Sequence, residues 1–262
     1  VVGSESHAPF PTVTSSGPSS SGRSVASFQP RYPKGMVELG GRVFATTSNY
    51  DEAAQDYLSG TVLSYNRGTG TFDVIPTQSY NPTSVTPILH EGQLRLLVVE
   101  SGAINRQGTA LTESRIEIFD PVTRARRFNL ALGNTAAGIS GEVAVSADGR
   151  RVVLPTGNNS GRLLVVDLHD SSLRSINLRD RGLNSEQVLL TGSQLSPDGR
   201  YAFVGNFNDG RMYAIDLDQP NASPTPVGLD SDVLDGEGLS DFLRQGRDLF
   251  IGVGPRIMRV GY

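Results

Sequence analysis

The sequence predicts an all-β fold, a β-propeller of four-stranded antiparallel blades, and three observations point to it. A unit of about 50 residues recurs, its marker glycines Gly41, Gly92, Gly149, Gly199 and Gly246 standing 51, 57, 50 and 47 residues apart. Within each unit, short apolar runs alternate with turn residues in a strand–turn–strand order, the signature of repeated β-sheets. The chain of 262 residues also holds 30 Gly and 15 Pro, an excess that suits many short strands joined by turns.

The clearest copies are VSADGRRVVLPTGNNSGRLLVVDL (145–168) and LSPDGRYAFVGNFNDGRMYAIDL (195–217). Ser146, Asp148, Gly149 and Arg150 match Ser196, Asp198, Gly199 and Arg200. After a one-residue adjustment in the turn, Gly161, Arg162, Asp167 and Leu168 match Gly210, Arg211, Asp216 and Leu217. Degenerate copies fill 40–66, 91–120 and 245–260. Strand a, such as EVAVS (142–146), leads into a turn whose glycine takes the positive φ of a tight hairpin. Strand b is rich in Val, Phe and Leu, and a Gly/Asn turn carries it into strand c. The residue closing strand c (Asn66, Asp120, Asp167 or Asp216) is expected to start the next turn with its side chain. A more polar strand d, as in LRSINLR (173–179), ends the unit.

This grammar places blades near 33–80, 82–132, 140–180, 188–229 and 237–262, five in all. The last unit has no strand d. SVASFQP (24–30) is the expected replacement, closing the ring from the opposite terminus and covering the open sheet edges. Were the chain a piece of a longer protein, the same units would belong to a ring of six or seven blades.

The two clear copies resemble the bacterial YVTN-type propeller repeats, related in style to lactonase-like propellers. The likeness spans about residues 33–262 and implies a fold rather than an activity. Tryptophan is absent, so neither WD40 blades nor tryptophan-docked quinoprotein blades fit.

Composition narrows the function classes. A net charge of −4 with both signs interspersed argues against a nucleic-acid binder. No apolar run approaches the roughly 18–20 residues of a membrane-spanning helix. The absence of cysteine removes disulfides, thiolate metal sites and cysteine nucleophiles together. Residues 1–30, with SSGPSSSG at 15–22, read as a flexible tether, expected to follow a cleaved export or lipoprotein signal. That reading places the protein in the bacterial periplasm or outside the cell, with a lipid-anchored tether and no transmembrane segment.

Binding residues are expected on the b–c loops, which share one end of a propeller with the d–a loops. Those of the first two units are long and contain DEAAQDYLS (51–59) and AINRQGTALTE (103–113). Elaborated loops on a rigid scaffold are where binding resides. Asp51, Glu52, Gln55, Asp56, Tyr57, Asn105, Arg106 and Gln107 are therefore the candidates for contact with a protein partner, within a larger envelope complex. The acidic run DSDVLDGEG (230–238) offers Asp230, Asp232, Asp235 and Glu237 to Ca²⁺, but its spacing departs from that of an EF-hand and favours a hydrated loop.

Catalytic patterns are thin. The three histidines His7, His90 and His169 are scattered, and Gly-x-Ser-x-Gly, P-loop and Gly-x-Gly-x-x-Gly motifs are missing. Glu142 and Asp241, near the starts of two strands a, form the acid–base pair of an alternative reading, a lactonase- or glycosidase-like hydrolase working at the channel mouth. The leading expectation is a non-catalytic binding and scaffolding propeller that needs no cofactor.

Overall fold

Strands such as RVVLP and RLLVVD carry apolar residues on consecutive positions, so both of their faces need cover. Stacking sheet upon sheet supplies it. The computed structural model describes residues 32–53, 56–103, 105, 109–134, 143–157, 160–183, 188–219, 221–227, 239–245, 248–253 and 256–261. The tether at 1–30, including the expected closing strand at 24–30, lies outside the described residues.

Four four-stranded antiparallel sheets and one three-stranded sheet follow one another along the chain. The first contains β1 (Pro33–Leu39), β2 (Arg42–Thr47), β5 (Ser59–Asn66) and β6 (Thr71–Tyr80), with a small hairpin of β3 (Tyr50–Asp51) and β4 (Asp56–Tyr57) between β2 and β5. The second is β7 (Pro82–His90), β8 (Gln93–Glu100), β9 (Ser114–Phe119) and β10 (Arg126–Gly133). The third is β11 (Ala144–Val145), β12 (Arg151–Pro155), β13 (Arg162–Asp167) and β14 (Ser172–Asn177). The fourth is β15 (Leu190–Leu195), β16 (Tyr201–Asn206), β17 (Arg211–Asp216) and β18 (Thr225–Val227). The fifth is β19 (Leu239–Gln245), β20 (Asp248–Val253) and β21 (Arg256–Gly261). Strand order equals chain order in every four-stranded sheet, and β1, β7, β11 and β15 all line one cavity. That is propeller geometry, with strand a innermost.

Apolar contacts join each sheet to the next. Phe44, Val62 and Ile75 meet Val85, Leu96 and Val98. Leu97, Val99, Ile116 and Ile118 meet Val152, Leu154, Leu164 and Val166. Val153, Leu163 and Ile176 meet Leu190, Val204 and Tyr213, and Met212 meets Leu249 and Ile251. Burial of these side chains, each contributing on the order of 2 kcal/mol, holds the stack together.

The repeat residues have local jobs. The residue that closes strand c accepts a backbone N–H two positions on in each of the four-stranded sheets: Gly68 on Asn66, Val122 on Asp120, His169 on Asp167 and Asp218 on Asp216, at 2.9–3.0 Å. An arginine at the start of strand b pairs with the closing aspartate: Arg95 with Asp120, Arg150 with Asp167, and Arg200 with Asp216. The Asp-Gly turn is a wider loop than the tight hairpin the sequence suggests. Arg151 N–H and Asp148 both bond Ser146 Oγ, and Gly149 alone takes positive φ, at 70°. Tyr201, Ser196, Asp198 and Gly199 repeat this arrangement. The first two sheets use two-residue turns instead, both residues at positive φ (Gly40 and Gly41; Glu91 and Gly92). Two turn types explain why their copies of the repeat look degenerate.

Gly149 also sets the spacing between sheets. A Cβ placed there would lie 1.7 Å from the Leu89 carbonyl oxygen of the preceding sheet, whereas at Gly199 the nearest atom would be 3.8 Å away. Gly199→Ala should therefore carry only the left-handed backbone cost of about 1 kcal/mol. Gly149→Ala should lose at least about 2 kcal/mol more, because two backbones must separate. Urea denaturation of the two variants checks this, and equal losses would contradict it.

Candidate functional site

In each of the four-stranded antiparallel sheets the b–c connection lies at the end opposite the a–b and c–d turns, and in the first two sheets it is elaborated. In the first, the chain leaves β2 through the buried Ser48 and Asn49, and Asn49 takes φ 52°. Its side chain donates to the Ser59 carbonyl at 2.8 Å, while Leu58 N–H returns to the Asn49 carbonyl at 3.0 Å. This clamp lets the hairpin β3–β4 stand up, with Tyr50 opposite Tyr57 and Asp51 opposite Asp56. Tyr32, Tyr50 and Tyr57 pack edge to face, with centroids 6.3 and 5.0 Å apart, and the Tyr32 hydroxyl donates to Glu52. Burial, and then the neighbouring Tyr50, raises the Tyr57 hydroxyl above its usual pKa of 10.0.

The second loop is fastened across its base. Ala103 N–H bonds Thr112 Oγ1 at 2.8 Å, Leu111 N–H bonds the Ala103 carbonyl at 2.8 Å, and Ser114 Oγ bonds the Ser101 carbonyl at 2.8 Å. Asn105 and Thr109 bond each other twice, through N–H to carbonyl and N–H to Asn105 Oδ1. Ser79 Oγ of the first sheet donates to the Glu113 carbonyl at 2.6 Å, which ties this loop to its neighbour's outer strand.

Several expected contact residues thus shape their own loops. Asp51 accepts Ala53 N–H, Asp56 accepts Tyr57 N–H, Glu52 accepts Tyr32, and Asn105 holds Thr109. Gln55, Arg106 and Gln107 lie outside the described residues. The outward apolar surface comes from side chains outside that set: Leu58 is 50% exposed, Leu111 57%, and Tyr32 and Phe207 are exposed at the same end. Their signal was available, as apolar residues within otherwise polar loops.

The other candidates fall elsewhere. Glu142 and the acidic run with Asp230, Asp232, Asp235 and Glu237 lie outside the described residues. Asp241 is the third residue of β19 and pairs in register with Gly252. Among the described residues no group of three or more His, Asp or Glu is placed to hold a metal ion. No helix among them is long and apolar enough to cross a membrane.

Beneath the long loops lies a feature invisible in the sequence. Glu100, at the end of β8, and Glu117, in β9, are both fully buried where the first two sheets meet. Glu117 pairs with Arg126 of β10 and accepts the Gln78 N–H at 3.2 Å. Glu100 accepts the Ser79 N–H of β6 and shares a hydrogen bond with Glu117. Burial first, then the charge of Glu117 and their shared hydrogen bond, together push the Glu100 carboxyl up to about 8, against the opposing hydrogen bonds of Ser79 and Thr77. With Glu100 protonated, the pair and Arg126 together are neutral.

In sequence the chain matches no protein-family model and no curated protein. In fold it is similar to several solved structures. A protein of unknown function from Bacteroides thetaiotaomicron, 12% identical, aligns over 89% of this chain and 56% of its own with a TM-score of 0.58. A chain of the nidogen/laminin complex, 11% identical, aligns over 90% and 78% with a TM-score of 0.57. Kuenenia stuttgartiensis hydrazine synthase, 14% identical, aligns over 85% and 69% with a TM-score of 0.59. The chain thus spans little more than half the length of the Bacteroides protein. At such identities the likeness establishes the propeller fold alone.

The buried acid pair predicts how stability varies with pH. Unfolding returns Glu100 from about 8 to its ordinary 4.5, so between those values the native state holds a proton that the unfolded chain has released. Its contribution is complete below about 4.5 and falls as pH rises to about 8, at up to about 1.4 kcal/mol per pH unit. Glu100→Gln should flatten that slope and stabilise the protein at pH 7. Urea midpoints measured from pH 5 to 8 check this, and an unchanged slope in the variant would contradict it.

Proposed function

We propose that this chain is a non-catalytic binding and scaffolding propeller that docks a protein partner on the b–c loop end of its first two sheets. The observation that carries the reading is the pair of long neighbouring loops, each fastened by its own hydrogen bonds, with Leu58 and Leu111 turned outward. Pre-ordered loops reduce the entropy lost on binding, and exposed apolar side chains inside a polar rim are what an interface buries. The corresponding loops of the third and fourth sheets are short, confined to residues 156–161 and 207–210.

Within this reading Asp51, Glu52, Asp56, Tyr57 and Asn105 form the polar rim, Tyr32, Leu58 and Leu111 are the anchors, and Gln55, Arg106 and Gln107 stay candidates by sequence alone. The propeller fold is compatible with a protein-interaction module, and one similar structure comes from a complex of nidogen with laminin. The YVTN-type likeness of the repeats and the Ser/Pro/Gly-rich stretch at 1–30 support a place in the bacterial envelope, as a tethered accessory subunit.

The test is affinity purification from the source organism with wild-type protein and two variants. Leu58→Ser with Leu111→Ser should weaken partner capture roughly tenfold or more, because central apolar anchors dominate interface energy. Val122→Ser, at the opposite end, should leave capture unchanged. Equal capture by all three proteins, with matched thermal stability, would remove the proposed face.

A further inference from the structure

The cavity between the innermost strands, open to solvent, has a chemistry distinct from that of the loop face. Its volume is about 690 Å³, and its walls come from β1, β7, β11 and β15. That size is in the range of small-molecule sites. Among the described lining residues Lys34 is the only charged side chain, and it is also the only lysine among the 23 basic residues of the chain. No described carboxylate pairs with it, although the other basic residues are arginines of which many sit in ion pairs.

Around Lys34 the wall is polar. Ser84 lies on the adjoining strand, its side chain buried and its Oγ without a hydrogen-bond partner in the protein. That oxygen has almost no solvent-accessible surface, so it is not part of the cavity's open wall. Close approach of the two strands is built in, since a Cβ at Gly35 would stand 2.8 Å from Ser84 Cα. Thr83 and Thr86 add hydroxyls to the same wall. Further along, the lining turns apolar, with the exposed Met36 and Leu89 beside Val143, Val145 and Ala147.

We propose that this channel binds a small amphiphilic carboxylate, its head on the Lys34 ammonium, its apolar body along Met36, Leu89 and Val145. An ammonium meeting a carboxylate makes a charge-assisted hydrogen bond, stronger than one between neutral groups. The described lining offers a cationic partner a repelling charge and no counter-charge.

The single lysine makes a direct test. Reductive ¹³C-methylation gives one lysine resonance, Lys34, separate from that of the terminal amine. Octanoate should shift it saturably, inorganic phosphate should shift it more weakly because it lacks the apolar body, and octylamine should leave it unmoved. By calorimetry on the unmethylated protein, Lys34→Met should weaken octanoate binding by about tenfold or more. An unmoved resonance would overturn the proposal, as would octanoate affinity unchanged in Lys34→Met. Partner capture does not enter either readout, so this outcome stands apart from that of the loop-face test.

Discussion

Everything in this molecule depends on the close approach of one four-stranded sheet to the next. Strands b and c are apolar on both faces, and they are stable only with a neighbouring sheet on each side. The inner turns set the distance, most tightly where Gly149 lies against the Leu89 carbonyl. Arginines then tie the third sheet to the fourth: Arg151 donates to the Gly199 carbonyl and Arg174 to the Leu217 carbonyl, both at 2.7 Å. Because the sheets fix each other, the loops at their ends can vary without disturbing the stack.

The sheets differ in what they put between them. The second and third meet through Val, Leu and Ile alone over most of their area. Between the first and second, the apolar layer gives way towards the loop end to Thr77, Ser79, Glu100 and Glu117, all buried. A polar layer of this kind is stabilising only when its partners are in place, so it fixes the relative position of the two sheets rather than adding bulk stability. The two long loops rise from this layer. Their bases inherit its geometry through Ser79, which bonds Glu100 through its N–H and the Glu113 carbonyl through its hydroxyl.

Much of this was legible in the sequence. The glycine spacing marked the sheets, and the residues closing strand c announced the side-chain turns that the structure shows at Asn66, Asp120, Asp167 and Asp216. The positions of the long loops were also readable, because their length is a local property. What escaped were features made by contact between distant segments. Glu100 and Glu117 are 17 positions apart and look like ordinary strand carboxylates until two sheets close over them. Lys34 becomes distinctive only when four inner strands converge around it. The polar loop residues drew attention by their type, yet Asp51, Asp56 and Asn105 hold backbone N–H groups, leaving the outward surface to Leu58 and Leu111.

The central claim is that one end of the propeller, at its first two sheets, meets a protein partner. Site-specific photo-cross-linking tests it most directly, with a benzophenone side chain placed at Leu58 in one protein and at Val122, 81% exposed at the opposite end, in another. Irradiation in the native cell should give a discrete, heavier adduct from position 58 and none from position 122. An adduct from 122 alone, or the same adducts from both positions, would contradict the account.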